Sequence, residues 1–470
     1  MYGLLLPLLF YPAQVLSAQG SNFDVSRTTA GKFLCGKECY EILEQTNKAD
    51  LEITGADFDQ SFYNVGKKFA GSKPGDLLKL KPVDPTTMTS ISGVSVYKIQ
   101  YTSQDLDGSP VPVSGYIAMP FSLPKSGAFP MIAFAHGTIG IYPGCAVSNS
   151  PNLFEYADSW SALSKRGYAV VATDYAGLGV NGTEHKYLTL NAHAADVFHS
   201  VTAARQAFGD VLSKEWLSVG HSQGGGAAWK LGEDIEKLAA EHGSGSCEAA
   251  NYIGTVAVSP ATKVYDFWMY FTSQVMTRPD FHRYSLVGLA PLAAVSAKRV
   301  FPKFGYSIFG KVMRTRLGLA DRAQTCAAGT AGLTLDLPAE EIVAPARAWS
   351  AEDMSILKRW QEMSAPANGG RSKRPILIVQ GLNDTAVPAP LTISAFNAAC
   401  GYGNEIKMLL YPKQDHSGVL EAAAPEWLRW IDERFAGKAT SGSCKKITKK
   451  PFDYEFVRAA PELDITGLGL

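Results

Sequence analysis

Six short apolar runs, separated by stretches of helical length, constrain this chain more than any other feature. They are 131–135, 169–172, 216–219, 253–258, 376–379 and 406–410. Runs of four to six apolar residues without alternation are what strands look like when helices bury both faces. Between them the sequence predicts helices over about 152–166, 191–208, 225–242, 389–400 and 425–435. Strand–helix alternation implies an α/β architecture: a mostly parallel central sheet flanked by helices. Two alternating runs precede the series, Val94–Ile99 and Val113–Ala118, with Asp107-Gly108 between them, which predicts an antiparallel hairpin.

One interval breaks the rhythm. About 115 residues separate Val258 from Ile376, too many for a structureless loop in a compact protein. The stretch around 285–300 is rich in Ala, Leu and Val, so 262–365 reads as an inserted, mainly helical cap. The expected organisation is an N-terminal extension over 19–90, a first core part over 91–261, the cap, a second core part over 366–437 and a tail over 438–470. The region before residue 90 reads as irregular, and the lysine pairs at 445–446 and 449–450 read as a solvated end.

The strongest local signal is Gly220-His221-Ser222-Gln223-Gly224. It satisfies G-x-S-x-G, with an apolar strand before it and a helix after it, the setting in which a serine is held on a tight turn at the sheet's carboxyl edge. A serine hydroxyl is a weak nucleophile and needs a base. Of the eight histidines, His242, His282 and His416 follow the serine by more than one residue. His242 closes the nucleophile helix and His282 falls in the cap, whereas His416 follows the last apolar run, where the base belongs. The acid should end an earlier strand. Asp384, on the turn after 376–379, fits, with Asp415 as its rival. A developing oxyanion needs two N–H donors. Gln223, immediately after the serine, should supply one. Thr138, with Gly137 second, should supply the other from the turn after 131–135.

Taken together, these residues resemble the secretory lipase family of fungi and actinobacteria, over about residues 57–435. Lys73-Pro74-Gly75-Asp76-Leu77-Leu78, Pro112-Val113-Ser114-Gly115-Tyr116, Asp174-Tyr175-Ala176-Gly177-Leu178-Gly179, Tyr187 and Asn191-Ala192-His193-Ala194-Ala195-Asp196-Val197 add to the likeness. The resemblance implies an α/β-hydrolase fold with a helical cap, no cofactor or metal, and hydrolysis of acyl esters, with a small-molecule or lipid ester as substrate and a transient lipid interface as a partner. It also implies two disulfides, Cys145 with Cys326 and Cys400 with Cys444. Cys35, Cys39 and Cys247 stay unassigned, with Cys35–Cys39 open. The elbow differs from many relatives, which carry an aromatic before the serine where this chain has His221. Two rival readings share the scaffold: a biosynthetic hydrolase acting on one acyl intermediate, and a binding protein without catalysis.

Composition enters where location and partners are concerned. Lysine and arginine number 44, as do aspartate and glutamate. A net charge of zero gives no basic surface for nucleic acid. Gly3–Leu16 is apolar and uncharged, followed by the small residues Ser17 and Ala18. Residues 1–18 therefore read as a secretion signal, and Asn181-Gly182-Thr183 as a glycosylation acceptor. The seven cysteines should mostly pair in an oxidising compartment, leaving at least one unpaired.

Overall fold

The computed structural model describes residues 19–89, 91–241 and 246–459. The expected secretion signal, His242 and the last eleven positions of the tail lie outside the described residues. Among the described residues one sheet of ten strands organises the fold: β1 (Leu77–Pro82), β2 (Val94–Gln104), β3 (Pro110–Pro120), β4 (Phe129–Ala135), β5 (Ala169–Thr173), β6 (Leu212–His221), β7 (Tyr252–Val258), β8 (Ile376–Gly381), β9 (Ile406–Tyr411) and β10 (Lys445–Thr448). Their order across the sheet is β1-β2-β3-β5-β4-β6-β7-β8-β9-β10. β1 to β3 run antiparallel and β3 meets β5 antiparallel; from β5 to β10 every pairing is parallel. The predicted hairpin is β2–β3, paired from Val94↔Pro120 to Gln104↔Pro110 around Asp107-Gly108.

The central parallel strands β4, β5, β7 and β8 are mostly apolar because each face meets a separate layer. On β4, Ile132 and Phe134 join one apolar cluster, while Met131, Ala133 and Ala135 join another. That division follows the two-residue period of a strand. The helices Leu190–Phe208, Gln223–Glu241 and Ala389–Gly401 match their predicted spans closely.

Other expectations are corrected. The span 152–166 holds only a short helix, Ser161–Lys165. Leu153, Phe154, Ala157 and Asp158 all take positive φ, which no helix accommodates. The last helix runs from Gly418 to Phe435 with Pro425 inside it, not from 425; burial of Val419, Leu420 and Ala423 outweighs proline's preference for a first turn. The region before residue 90 is not irregular. It carries the 18-residue helix Lys37–Thr54 and the edge strand β1. The basic tail is not merely a solvated end, since 445–448 form β10; Lys445 and Lys446 are nevertheless exposed there.

The interval 262–365 is mainly helical, with Ser285–Val300, Lys311–Ala323 and Ala351–Ser364 its longest helices. The Leu286 amide donates to the Thr385 carbonyl, docking the first of these on the loop after β8. Cys145–Cys326 joins the segment after β4 to this region across 181 positions. Cys400–Cys444 and Cys35–Cys39 also pair, and Cys247 is free and exposed. Among the described residues no helix is long and apolar enough to cross a membrane.

Candidate active site

Ser222 lies between β6 and the helix Gln223–Glu241 with φ of 58°. A left-handed non-glycine residue costs on the order of 1–3 kcal/mol and persists only where its surroundings enforce it. Here the Ser222 amide donates to the Val258 carbonyl at 2.9 Å, and the Ser222 carbonyl accepts from the Ala261 amide at 2.9 Å. The flanking glycines are obligatory for space. A Cβ on Gly220 would lie 2.0 Å from the Gly224 carbonyl oxygen, and one on Gly224 would lie 1.9 Å from that of Ala135.

The loops after β8 and β9 bring Asp384 and His416 together: His416 Nδ1 lies 2.8 Å from Asp384 Oδ2. Asp384 is held by its own loop and by β8. Asp384 Oδ1 accepts from the Ala386 and Val387 amides at 2.9 and 2.7 Å, and Oδ2 accepts from Gln380 Nε2 at 3.0 Å. Thr392 in turn donates to Gln380 Oε1 at 2.8 Å. Asp415, the rival acid, faces elsewhere. Its carboxylate accepts from the Gly418 amide at 2.7 Å, capping the last helix, and burial raises its pKa. His282 is exposed in the inserted region, its ring tilted against that of Phe281.

Ser222 and His416 line the same cavity, of about 260 Å³, together with Gly137, Thr138, Tyr156 and His221. No hydrogen bond joins Ser222 to His416 among the described residues; such contacts commonly tighten only when substrate binds. Ser222 also borders a narrow apolar cavity of about 40 Å³, walled by Phe267, Trp268, Phe271, Leu286 and Leu289 from the inserted region. The serine therefore stands between a narrow apolar slot and a wider chamber.

His136 shapes the turn after β4. Burial pulls its pKa down to about 4, so the ring is neutral and carries one N–H. Its closest partner is the Gly137 carbonyl, 2.6 Å from Nδ1, which therefore receives that hydrogen. Carbonyl and N–H point opposite ways across a trans peptide, so the Thr138 amide is directed away from His136. The Gly137 amide approaches the Tyr156 hydroxyl. Thr138 Oγ1 meets Tyr187 Oη at 2.9 Å. Gln223 opens its helix, with its side chain against the buried rings of His185 and His193.

Two residues of this site escaped the sequence. His221 was visible only as the variable position of the elbow. Tyr156 fell within a segment predicted as helix. Both line the chamber, and Tyr156 Oη lies 2.7 Å from His221 Nδ1.

A serine elbow after β6, with Asp384 and His416 on the loops after β8 and β9 of a mostly parallel sheet, fits the α/β-hydrolase class of fold. The sequence pattern of the alpha/beta hydrolase family matches residues 132–429, and the chain belongs to that family. Lipase 10 of Candida albicans is 22% identical over 416 residues, 83% of each protein. Among solved structures, Candida antarctica lipase A in its closed state is similar with a TM-score of 0.63 at 15% identity, over 87% of this chain and 93% of that one. The rice cell wall degrading esterase LipA from Xanthomonas oryzae is similar with a TM-score of 0.59 at 17% identity, over 77% and 98%. At such identities the structural likeness speaks for the fold.

Proposed function

We propose that this chain is a secreted carboxylic ester hydrolase of lipase or esterase type, working through Ser222, His416 and Asp384. The observation that carries the reading is the 2.8 Å bond between His416 Nδ1 and Asp384, at the wall of the cavity that Ser222 shares. With Nδ1–H given to the carboxylate, Nε2 keeps its lone pair for the serine proton. Ser222 Oγ attacks the ester carbonyl as His416 accepts its proton. The amides of Gln223 and Thr138 receive the oxyanion. His416 returns the proton to the departing alcohol, and water then releases the acyl group with His416 again as base. The apolar slot suits the acyl chain and the wider chamber the alcohol. The interval 262–365 acts as the cap over both, inserted between the core parts 91–261 and 366–437.

The names of the similar proteins, a lipase and an esterase among them, favour ester substrates. Three disulfides fit an oxidising compartment, and Asn181 is exposed for glycosylation. The test is hydrolysis of 4-nitrophenyl esters from two to sixteen acyl carbons. The wild type should turn over at least part of that series, and Ser222→Ala should lose roughly 10³-fold or more in kcat. Hydrolysis undiminished in Ser222→Ala would overturn the assignment.

A further inference from the structure

The residue between Gly220 and Ser222 is a histidine whose two nitrogens are both engaged. His221 Nε2 lies 2.8 Å from the His416 carbonyl oxygen. A carbonyl only accepts, so Nε2 carries the hydrogen. In the neutral ring Nδ1 is then an acceptor, and its partner at 2.7 Å, the Tyr156 hydroxyl, must donate to it. The Tyr156 oxygen also borders the oxyanion turn, since a Cβ on Gly137 would lie 2.7 Å from it. One chain of contacts thus runs from Gly137 through Tyr156 and His221 to the backbone of His416.

We infer that Tyr156 and His221 are positioning residues that hold the base loop and the oxyanion turn in register with the elbow, and that they keep an uncharged imidazole beside His416. The inference rests on His416 being the base. The two rings are 4.5 Å apart between centroids. When His416 becomes an imidazolium during attack, a second positive ring at that distance would oppose it. Tyr156 opposes this: its donated hydrogen occupies the lone pair at which His221 would accept a second proton, and the hydroxyl would have to turn round to accept instead. Burial acts in the same direction, holding His221 well below the usual histidine range, and the neighbouring His416 adds to that.

Other polar groups surround this pair. From the base loop come His416 and Asp415, with Asp384 behind His416. Glu155 sits beside Tyr156, and burial pushes it up to about 7. From the turn after β7, Ser259 Oγ donates to the same His416 carbonyl at 3.3 Å. Among the described residues no lysine or arginine lines the shared cavity, whose remaining acidic groups are Asp50 and Glu52.

The test compares Tyr156→Phe, His221→Phe and His221→Gln with wild type. It reads kcat and KM for 4-nitrophenyl butyrate from pH 4.5 to 9, with thermal midpoints alongside. Glutamine keeps an N–H for the His416 carbonyl and an oxygen for Tyr156, and it cannot ionise. Tyr156→Phe should lose up to about 100-fold in kcat, with KM little changed, and the acid limb of its profile should move to higher pH as His221 becomes able to charge. His221→Phe should lose a similar factor with the acid limb unmoved, and His221→Gln should recover most of it. Equal losses in His221→Gln and His221→Phe at matched thermal midpoints, or an unmoved acid limb in Tyr156→Phe, would overturn the inference. A folded wild type without ester hydrolysis would instead sink the reading of His416 as base, and the positioning role with it.

Discussion

Asp384 receives four hydrogen bonds without reaching beyond its own loop, strand β8 and His416. An acid held so closely fixes the imidazole's tautomer rather than exchanging protons with it. Asp384→Asn should therefore keep the fold and lose about 10³- to 10⁴-fold in kcat, read from initial rates at pH 7.5 beside a circular dichroism spectrum. A rate within tenfold of wild type would contradict the role. The candidate serine, acid and base could be picked out of the sequence because each lies within a few residues of a strand end and announces itself in its neighbours. Tyr156 and His221 could not. Their bond spans 65 positions, and that from His221 to His416 spans 195, so no local pattern encodes either.

Elements show where local signals were outvoted. Residues 152–166 have the composition of a helix, yet Leu153 and Phe154 turn left-handed, and the segment places Phe154, Glu155 and Tyr156 along the chamber wall. Pro425 marked a helix start that burial of the preceding turns overrode. The helix Lys37–Thr54 carried no functional signal, but its final turns line the same chamber through Asp50, Ile53 and Thr54. Its attachment is specific: Asp50 accepts from the Ala328 and Gly329 amides, both at 2.8 Å, at the start of the helix Ala327–Gly332. Removing that cap leaves two buried donors unpaired. Asp50→Ala should lower the unfolding free energy by about 2 kcal/mol, seen as a lower urea midpoint. An unchanged midpoint would show that this helix is not anchored there.

The whole molecule holds two opposed sets of buried titrating groups. Burial pushes Asp50, Glu155, Asp196 and Glu233 each up to about 7. In the unfolded chain such carboxyls lose their protons near pH 4, so the folded state binds more protons between 4 and 7. These groups cost stability as pH climbs through that window. Burial acts oppositely on histidines, drawing His136 to about 4 and His193 to about 3 and lowering His185 and His221. They cost stability as pH falls below the unfolded histidine value near 6.5. Removing one carboxyl exposes the balance. Glu233→Gln keeps an acceptor for the Ala367 amide, 2.9 Å from Oε1, and cannot ionise. Relative to wild type, its thermal midpoint should be higher at pH 8 than at pH 5. A difference that is constant with pH would contradict the raised pKa of Glu233.

The claim beneath all of this is that Ser222 is a nucleophile activated by His416. A fluorophosphonate tests it most directly, because the reagent needs an activated serine and no knowledge of the natural ester. Intact mass of the treated protein should show one phosphonyl adduct. Peptide mapping should locate it on Ser222, and Ser222→Ala should stay unlabelled while His416→Ala labels at least about 10³-fold more slowly. A folded wild type that takes up no adduct, or an adduct that persists in Ser222→Ala, would contradict it.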